Sequence, residues 1–489
     1  MTFQPSRRQF LVGSSALLAG TLVGCSTDKG LSSAGSSTSA TAAPSLIAPT
    51  GSAGKELEPN LETADLTGGP QWTPPDLSGQ TLTLWGLNYA PHIERYKLLI
   101  KRFEAATGAT VKLQPQDDMV KQSLTSFAGG NPPDVLCIMG KMSDQLVKQG
   151  GLLDLTSMYA DLKIDMPTWW MPEAIQAYTF GDKLYGVPVE GNAHAGVSAR
   201  LDLISAAGAK VDGLWPGAEP ESAWPSKGVH FDSFDQMFKL ATAITQKSGD
   251  KVKVWGQNRQ GWDSQQLASI LYQQDVKWWD EATGQFNLDN DACVNALEMM
   301  VPKPYGMKIE SNLAVGNSVN AFVAGQTALG IGNDSAAGEG TKAGFKATNV
   351  VQPSIVDGAV PKFVGEGGWG FEVPLKAKNQ AGAIEFAKFI TTYEAQFTWS
   401  QIYGGMSPAC HALLKSEIYA GESPLKVGQR RLLTAGADTI YQGHGYDPQI
   451  EGLITTIMGT LREGKTNPKD TAAAMQKQAT AQQQRYART

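Results

Sequence analysis

The sequence predicts an α/β protein with two lobes. Roughly 410 of its 489 residues, from about Leu77 onward, have a globular composition, and that length is more than one hydrophobic core usually holds. Short apolar segments alternate with segments of helical periodicity, which favours a mainly parallel sheet. The last part of the chain contains mostly helical patterns.

The first predicted elements alternate between strand and helix. Residues 81–86 form a short apolar segment that ends at a glycine, and apolar residues then recur at helical spacing over 93–103. Gly108 ends this predicted helix, and apolar alternation over 109–113 predicts the next strand. A second strand–helix unit leads into a buried strand over 134–139.

Further helices are predicted towards the C-terminus. Ser233 and Gln236 have the spacing of a capping box, which predicts a helix start at this point. Residues 381–400, 429–463 and 468–486 are each predicted to be helical.

The first 24 residues have the pattern of a bacterial export signal. The pair Arg7-Arg8 precedes a short apolar run, which is typical of a Tat signal, and the run is shorter than the roughly 20 residues that cross a bilayer. Residues 22–25 (LVGC) resemble a lipobox, so Cys25 is predicted to carry lipid after removal of residues 1–24. The alternative is a plain secretory signal in which Cys25 has no role.

Residues 25–77 are predicted to tether the protein. Much of this segment consists of Ser, Thr, Ala and Gly, with few large apolar side chains to offset the entropy of ordering it. Acyl chains on Cys25 would hold the protein at a membrane surface. We therefore expect an exported protein, anchored by lipid to the outer face of the cell membrane on its periplasmic or extracellular side.

Composition excludes several classes of function. The formal charge is −6 and no basic run is present, which argues against nucleic acid as a partner. Cys137, Cys293 and Cys410 lack the spacing of a disulfide framework or a zinc site, and buried thiols are expected. The five histidines show no metal-ligand spacing, and no HExxH or GxSxG motif occurs. Neither a cofactor nor a metal is implied.

Residues 459–466 (GTLREGKT) match the phosphate-binding pattern GxxxxGK[ST]. A phosphate-binding loop must lie between a strand and a helix, because the backbone amides and the helix N-terminus hold the phosphates. Here the preceding apolar residues have helical spacing, so Gly464 is predicted to end a helix, and nucleotide binding is not expected.

Nine segments, in a fixed order, resemble the sugar-binding group of bacterial extracellular solute-binding proteins that serve ABC importers, the group that includes maltose-binding protein. The resemblance spans roughly 80–485 and rests on the following segments: 82–89, 101–114, 129–138, 148–155, 182–208, 231–244, 282–300, 320–335 and 365–390.

The resemblance implies a type II periplasmic-binding-protein-like fold, with two lobes joined by a hinge and ligand held between them. The first lobe would comprise 78–189 plus 364–412, and the second 190–363 plus 413–489. A monomer that captures a mono- or oligosaccharide and passes it to ABC permease subunits is expected, with no catalysis. Alternatives are the same fold with a non-sugar solute, such as a peptide or polyamine, and an extracellular glycosidase.

Several residues are predicted to bind the ligand because they combine polar or aromatic character with positions near the expected cleft. Strand ends, chain crossovers and matches to cleft segments of the family supply the following candidates: Asn88, Tyr89, Lys141, Glu190, Asn192, His194, Trp262, Asp263, Asn333, Asp334, Glu366, Gly368 and Trp369. Trp369 is the strongest candidate, because its glycine-rich surroundings allow close backbone approach.

Two departures from the family pattern concern the ligand more than the fold. The usual Tyr-Asn pair after the first crossover, which would fall near Val197-Ser198, is absent. Residues 212–230 add a loop rich in Trp and Pro.

Overall fold

The computed structural model describes residues 69–191, 196–207, 231, 233–311, 318–332, 335–356, 359, 361–401, 407–421, 423–434 and 438–488. The predictions for the export signal, Cys25, Asn192, His194, Asn333, Asp334 and the loop 212–230 concern residues outside these ranges.

Within those ranges, the strands are β1 Thr81–Leu87, β2 Thr110–Gln116, β3 Val135–Met139, β4 Thr179–Phe180, β5 Lys183–Leu184, β6 Gly186–Pro188, β7 Gly196–Arg200, β8 Gln246–Ser248, β9 Lys251–Asn258, β10 Trp279–Asp280, β11 Gln285–Phe286, β12 Thr327–Ile331, β13 Ala347–Val351, β14 Lys362–Gly365, β15 Trp369–Glu372 and β16 Asp438–Tyr441.

The helices in the same ranges are α1 Ala90–Thr107, α2 Met119–Ala128, α3 Gly140–Lys148, α4 Thr156–Asp161, α5 Met166–Trp169, α6 Pro172–Gln176, α7 Leu201–Ala207, α8 Phe234–Ile244, α9 Asp263–Gln273, α10 Asp291–Met300, α11 Pro302–Gly306, α12 Ser318–Val323, α13 Ser335–Lys342, α14 Gln380–Ile390, α15 Tyr393–Ser400, α16 Pro424–Thr434, α17 Gln449–Arg462 and α18 Pro468–Tyr486. A 3-10 helix spans His411–Lys415.

The first sheet has the order β2-β1-β3-β15-β6. Strand β1 is parallel to β2 and β3, whereas β15 runs antiparallel to β3 and β6. Helix α1 begins after Tyr89 and ends at Gly108, whose φ of 72° places it in the left-handed region. The predicted strand–helix order of this part of the chain is confirmed.

The second sheet has the order β13-β7-β12-β9-β8. Strands β9 and β12 are parallel, so their carboxyl ends lie at the same edge. Helix α8 packs across β9, and Ser233 caps it by accepting a hydrogen bond from the backbone N–H of Gln236. This cap confirms the predicted helix start.

Two predicted helices are interrupted. The helix predicted over 381–400 is divided into α14 and α15, because Thr392 caps a new helix by accepting from the Ala395 backbone N–H. The helix predicted over 429–463 is wrong in its middle part. Strand β16 pairs there with β14, and Gly443 and Gly445 have φ values of 99° and 88° that a helix cannot contain.

Each sheet has its own hydrophobic core. Buried apolar residues from Leu77 to Val189 and from Trp369 to Tyr419 form the first core, and those from Val197 to Val364 and from Tyr446 to Ala479 form the second. Cys137, Cys293 and Cys410 are buried free thiols in these cores, as predicted. The division into two lobes at the predicted boundaries stays a prediction.

The GxxxxGK[ST] segment lies at the end of a helix. Helix α17 runs to Arg462, and Gly464 follows it with a φ of 69°. The Gly464 and Lys465 backbone N–H groups donate to the carbonyls of Leu461 and Thr460 at 3.0 Å each, the two bonds that define a Schellman motif. The predicted helix stop is therefore confirmed.

Two kinds of feature are absent from the described residues. None of the helices there has both the length and the apolar character needed to cross a bilayer. No cluster of three or more His, Cys, Asp or Glu side chains suited to a metal ion was found among the same residues.

Candidate functional site

Aromatic and charged side chains from four segments converge at the carboxyl end of the first sheet. This first-sheet cluster consists of Tyr89, His92, Arg95, Glu190, Trp369 and Trp399. Tyr89 follows β1, and Glu190 follows β6. Trp369 starts β15 and pairs with Met139 at the end of β3, so the antiparallel direction of β15 places it at this edge.

His92 is at the centre of the aromatic contacts. Its ring centroid is 4.6 Å from that of Trp369, 5.3 Å from Trp399 and 5.5 Å from Tyr89, each in an edge-to-face arrangement. Aromatic pairs favour this geometry. Burial, and then the charge of Arg95, hold the pKa of His92 well below its ordinary value, so the imidazole is neutral at neutral pH.

A buried ion pair underlies these rings. Arg95 Nη1 lies 3.3 Å from Glu190 Oε2, and both side chains are about 1% exposed. Trp399 Nε1 donates to the same carboxylate oxygen at 3.2 Å, and the Arg95 guanidinium carbon lies 5.0 Å from the centre of the Trp399 ring. Buried charges are costly to desolvate unless further hydrogen bonds support them, and Trp399 supplies one.

Helix α13 follows β12 of the second sheet, and the charge of its Glu339 acts on residues of the first-sheet cluster. Burial raises the pKa of Tyr89, and the charge of Glu339 on α13 raises it further. Burial also raises the pKa of Glu339, against the opposing charges of Lys342 and Arg95. Because Tyr89 is still 48% exposed, it is the member of the cluster that a ligand can reach with least rearrangement.

A second polar group lies at the carboxyl ends of the parallel strands β9 and β12. This second-sheet edge consists of Asn258, Arg259, Trp262, Gln266 and Gly332. A Cβ added at Gly332 would lie 1.9 Å from Gln266 Nε2 and 3.2 Å from Trp262 Cβ, and the φ of Gly332 is 94°. Only glycine therefore fits where the chain leaves β12. Ligands of open α/β sheets bind at such strand ends.

The side chains beside this edge are organised by buried carboxylates. Glu310 accepts hydrogen bonds from the Arg259 backbone N–H at 2.9 Å and from Gln257 Nε2 at 2.8 Å. Asp263 forms a two-point ion pair with Arg462, whose Nη1 donates to Oδ2 at 3.0 Å and whose Nη2 contacts Oδ1. Asp263 thus has a buried structural partner already.

A third group, the crossing cluster, joins elements of both cores. It consists of Lys141 on α3, Gln265 on α9, Glu366 between β14 and β15, and Glu451 on α17. Lys141 Nζ contacts Glu366 and lies 2.5 Å from Glu451 Oε2. Gln265 Nε2 contacts Glu366 and donates to Glu451 at 3.0 Å. Burial would lower the pKa of Lys141, but the two carboxylates outweigh burial and raise it.

The predicted site residues fall into separate groups. Tyr89, Glu190 and Trp369 meet in the first-sheet cluster, and Gly368 lies beneath it, where an added Cβ would be 1.8 Å from the Glu190 carbonyl oxygen. Trp262 belongs to the second-sheet edge, and Lys141 and Glu366 belong to the crossing cluster. Asn88 donates to Asp117 at 2.8 Å on the exposed surface.

Nine members of these groups were not predicted from the sequence. They are His92, Arg95, Asn258, Arg259, Gln265, Gln266, Gly332, Trp399 and Glu451. A signal existed for two of them, because His92 and Arg95 lie on the same helix face as the core residues Tyr96 and Leu99. Charged residues on an apolar helix face are unusual. Trp399 had no comparable signal, since tryptophan is also an ordinary core residue.

The family model that matches the chain is that of the bacterial extracellular solute-binding protein, over residues 89–397. A curated relative, the diacetylchitobiose-binding protein DasA of Streptomyces coelicolor, is 34% identical over 113 residues, which cover 23% of this chain and 26% of DasA. The alignment thus spans about a quarter of that relative's length.

Solved structures of low sequence identity share the fold. An ABC transporter solute-binding protein from Thermotoga lettingae, bound to α-D-tagatose, has a TM-score of 0.67 at 18% identity, over 83% of this chain and 100% of its own. UgpB of Mycobacterium tuberculosis, in complex with glycerophosphocholine, has a TM-score of 0.67 at 16% identity, over 84% and 100%.

These similarities define the class of the protein. The two sheets, each with its own core and with polar groups at the strand ends, correspond to the fold of two-lobed type II periplasmic binding proteins. The chain belongs to the bacterial extracellular solute-binding protein family, since the family model covers more than half of it. The protein is therefore a solute-binding protein that acts outside the cytoplasm.

Proposed function

We propose that the protein captures a sugar in a cleft between the two sheets and delivers it, unchanged, to an ABC importer. The observation that carries the proposal is the convergence of Tyr89, His92 and Trp369 with the Arg95–Glu190 pair at the edge of the first sheet. Aromatic rings match the flat C–H face of a sugar, and charged groups bind its hydroxyls. The sugar ligands named for DasA and for the Thermotoga lettingae protein support this choice.

In this proposal the two lobes have the predicted boundaries and close around the ligand. The first-sheet cluster would form one wall of the cleft, and the second-sheet edge would form the other. Asn333 and Asp334, which follow Gly332 in the sequence, are proposed to contribute to this second wall. Asn192 and His194 follow Glu190 in the sequence, within the predicted crossover, and are proposed to contact the ligand near the hinge. The Lys141–Glu366 pair would position the crossing segments, and Asn88 would contribute at the rim.

The expected affinity suits capture followed by release. A hydrogen bond to a charged group contributes about 1.5–3 kcal/mol, and an aromatic contact adds about 0.5–1.5 kcal/mol. Three or four such contacts, less the costs of association and closure, give about −8 kcal/mol, which corresponds to micromolar binding.

Membrane attachment is a separate part of the proposal. The protein is proposed to be exported by the Tat route and held by lipid on Cys25. The tether predicted over 25–77 is shorter than expected, because Trp72 stacks on Phe103 and Leu77 is buried in the first core, so the proposed tether ends before Trp72. A Cys25→Ala variant should then appear in the medium rather than in the membrane fraction, and a variant that stayed with the membrane would contradict the anchor.

The sugar-binding proposal is tested by thermal unfolding of the purified mature protein in the presence of single sugars. A bound ligand stabilises the folded state by mass action, by about 2.7 kcal/mol at one hundred times Kd. We expect at least one mono- or oligosaccharide to raise Tm and to be recovered intact by chromatography. Stabilisation by peptides or polyamines alone would refute the sugar, and hydrolysis of the sugar would indicate a glycosidase.

A further inference from the structure

Arg259 presents an unused pair of hydrogen-bond donors. Its side chain has no exposed surface, and its Nη1 donates to Gln266 Oε1 at 2.5 Å. Nε and Nη2 are both buried without a hydrogen-bond partner in the described part of the chain. These two N–H groups point in the same direction along one edge of the guanidinium, which is the geometry that binds a carboxylate or phosphate at two points.

The carboxylates nearest in the fold do not satisfy this edge. Glu310 accepts from the Arg259 backbone and from Gln257, and Asp263 is paired with Arg462. Among the described residues, the Arg259 side chain makes no salt bridge. Burial lowers the pKa of Arg259 to about 10, so the guanidinium still carries its charge at neutral pH. The charges of Glu310 and Asp263 oppose this shift, but neither carboxylate bonds the Nε–Nη2 edge, and a buried charged group with unsatisfied donors is unfavourable.

Further unpaired donors lie on residues of the same region. Within the described ranges, Asn258 Nδ2 and Gln266 Nε2 are buried without a hydrogen-bond partner, and so is the hydroxyl of Ser318 at the start of α12. Ser318 is joined to the region by its backbone N–H, which donates to the Gln260 carbonyl at 2.8 Å. Buried polar groups are normally hydrogen-bonded. A group with several acceptor oxygens and no donors of its own would satisfy these side chains together.

We propose that the Arg259 edge binds an oxyanion carried by the solute, either the carboxylate of an acidic sugar or the phosphate of a sugar phosphate. Nε and Nη2 would hold two of its oxygens, and Asn258, Gln266 and Ser318 would donate to the remaining lone pairs of a carboxylate or to a further oxygen of a phosphate. This inference rests on the proposed sugar-binding function and names the class of sugar. Because Arg259 is fully buried, the solute enters while the lobes are apart, and closure completes the contacts.

The test is titration calorimetry of the mature protein with matched pairs of ligands. Galactose is compared with galacturonate, and glucose with glucuronate and glucose 6-phosphate, so that carboxylate and phosphate are distinguished. We expect the wild-type protein to bind at least one charged member at least about tenfold more tightly than its neutral partner. In Arg259→Met this preference disappears, and in Arg259→Lys, which keeps the charge without the two-point edge, it is reduced.

The controls separate this inference from the function on which it rests. Lys303→Met removes a cation at the surface of the second-sheet region and should keep the preference. One outcome is that neutral sugars bind as tightly as charged ones, and that wild type and Arg259→Met bind them equally. This result would overturn the oxyanion site and leave the sugar-binding function intact. If no sugar bound, while inorganic phosphate raised Tm of wild type but not of Arg259→Met, the site would stand and the sugar function would fail. Should Arg259→Met not fold, Arg259→Lys provides the comparison.

Discussion

Tyr89 is the most exposed aromatic residue of the first-sheet cluster, at 48%. Trp369, the strongest candidate from the sequence, is only 7% exposed and packs in the first core. Replacing a buried tryptophan by alanine leaves a cavity that costs about 3–5 kcal/mol. A loss of binding in Trp369→Ala would therefore mix ligand contact with damage to the core, and Tyr89 is the better residue for a test.

We predict that Tyr89→Ala weakens binding of the stabilising sugar about tenfold, equivalent to about 1.4 kcal/mol, because it removes a ring that a ligand can reach. Tm without ligand should change little. The measurement is titration calorimetry with parallel thermal unfolding. Leu375→Ala is the matched control, since Leu375 is 46% exposed and follows the same sheet outside the cluster. Equal losses of affinity in both variants would contradict a role for Tyr89.

Three residues predicted from the sequence on different grounds lie in one cluster. Glu190 was predicted from its polar character at an apolar strand end, Tyr89 from its position after the first strand, and Trp369 from its glycine-rich surroundings. Arg95 was not, because a buried arginine on a helix is visible only when its partner Glu190, which is 95 residues away, is known. Asp263 was predicted as a ligand-binding residue, but it forms a buried ion pair with Arg462. No local pattern in the sequence indicates that partner.

Two glycines at the end of helix α17 provide a test of the observed secondary structure. Gly464 follows α17 in a Schellman motif with a φ of 69°, whereas Gly459 lies inside the same helix with open space around an added Cβ. We predict that Gly464→Ala destabilises the protein by about 1 kcal/mol, because alanine resists the left-handed conformation.

Gly459→Ala should have the opposite sign and stabilise the protein by about 0.5–1 kcal/mol, because alanine favours a helix interior. Urea unfolding of the two variants measures both effects. Both glycines belong to the GxxxxGK[ST] segment, so opposite signs would support a helix with its cap. Equal destabilisation by both substitutions would mean that this segment is not helical up to Arg462.

Elements with a local signal were predicted well, and elements held by distant partners were not. Gly108 and Ser233 mark helix ends through their own conformation or side chain, so their positions follow from the sequence. Strand β16 depends on pairing with β14, which lies more than 70 residues earlier in the chain. Apolar residues on either side of β16 have helical spacing, and this pattern alone predicted one long helix over 429–463.

For the whole molecule, a pH dependence follows from contacts between segments that pack with different cores. Burial raises the pKa of Glu372 to about 8, with Ser143 opposing and Asp144 adding to the shift. Asp144 Oδ1 also lies 2.6 Å from Nδ1 of His444. Burial would lower the pKa of His444, but Asp144 outweighs burial and raises it.

Both shifts act in the same direction. A carboxyl group whose folded pKa is raised holds a proton that the unfolded chain releases, so its contribution to stability falls between about pH 4.5 and about 8. The contribution of His444 is present below its ordinary pKa of 6.5 and is lost as pH rises through the higher folded value. We therefore predict that these two groups lower the unfolding free energy as pH rises from about 5 to about 8. His92 acts in the opposite direction below about pH 6.5, because its lowered pKa leaves it neutral in the folded state while the unfolded chain takes up a proton.

Thermal unfolding of Glu372→Gln over the same pH range provides the comparison. The wild-type slope of unfolding free energy against pH should be more negative than that of the variant by up to about 1.4 kcal/mol per pH unit, because one titrating proton has been removed. Identical slopes would show that Glu372 does not hold a proton in the folded state.

The fold as a whole was predictable because many short segments occur in the order of one family, although none of them is decisive alone. The arrangement at the cleft was less predictable. The crossing cluster joins Lys141, Gln265, Glu366 and Glu451 across more than 300 residues of chain, and only the packing of the two cores brings these residues together. Residues that face a ligand and residues that hold the crossing segments are equally polar in the sequence.

Capture of a sugar between the two sheets can be seen in a crystal structure of the mature protein with a stabilising sugar. We expect the sugar to lie between the carboxyl ends of the two sheets, with Tyr89 or Trp369 against its flat face and Trp262 or Arg259 contacting it from the opposite side. A sugar bound to one sheet alone, or at a surface away from both strand ends, would refute the proposed cleft.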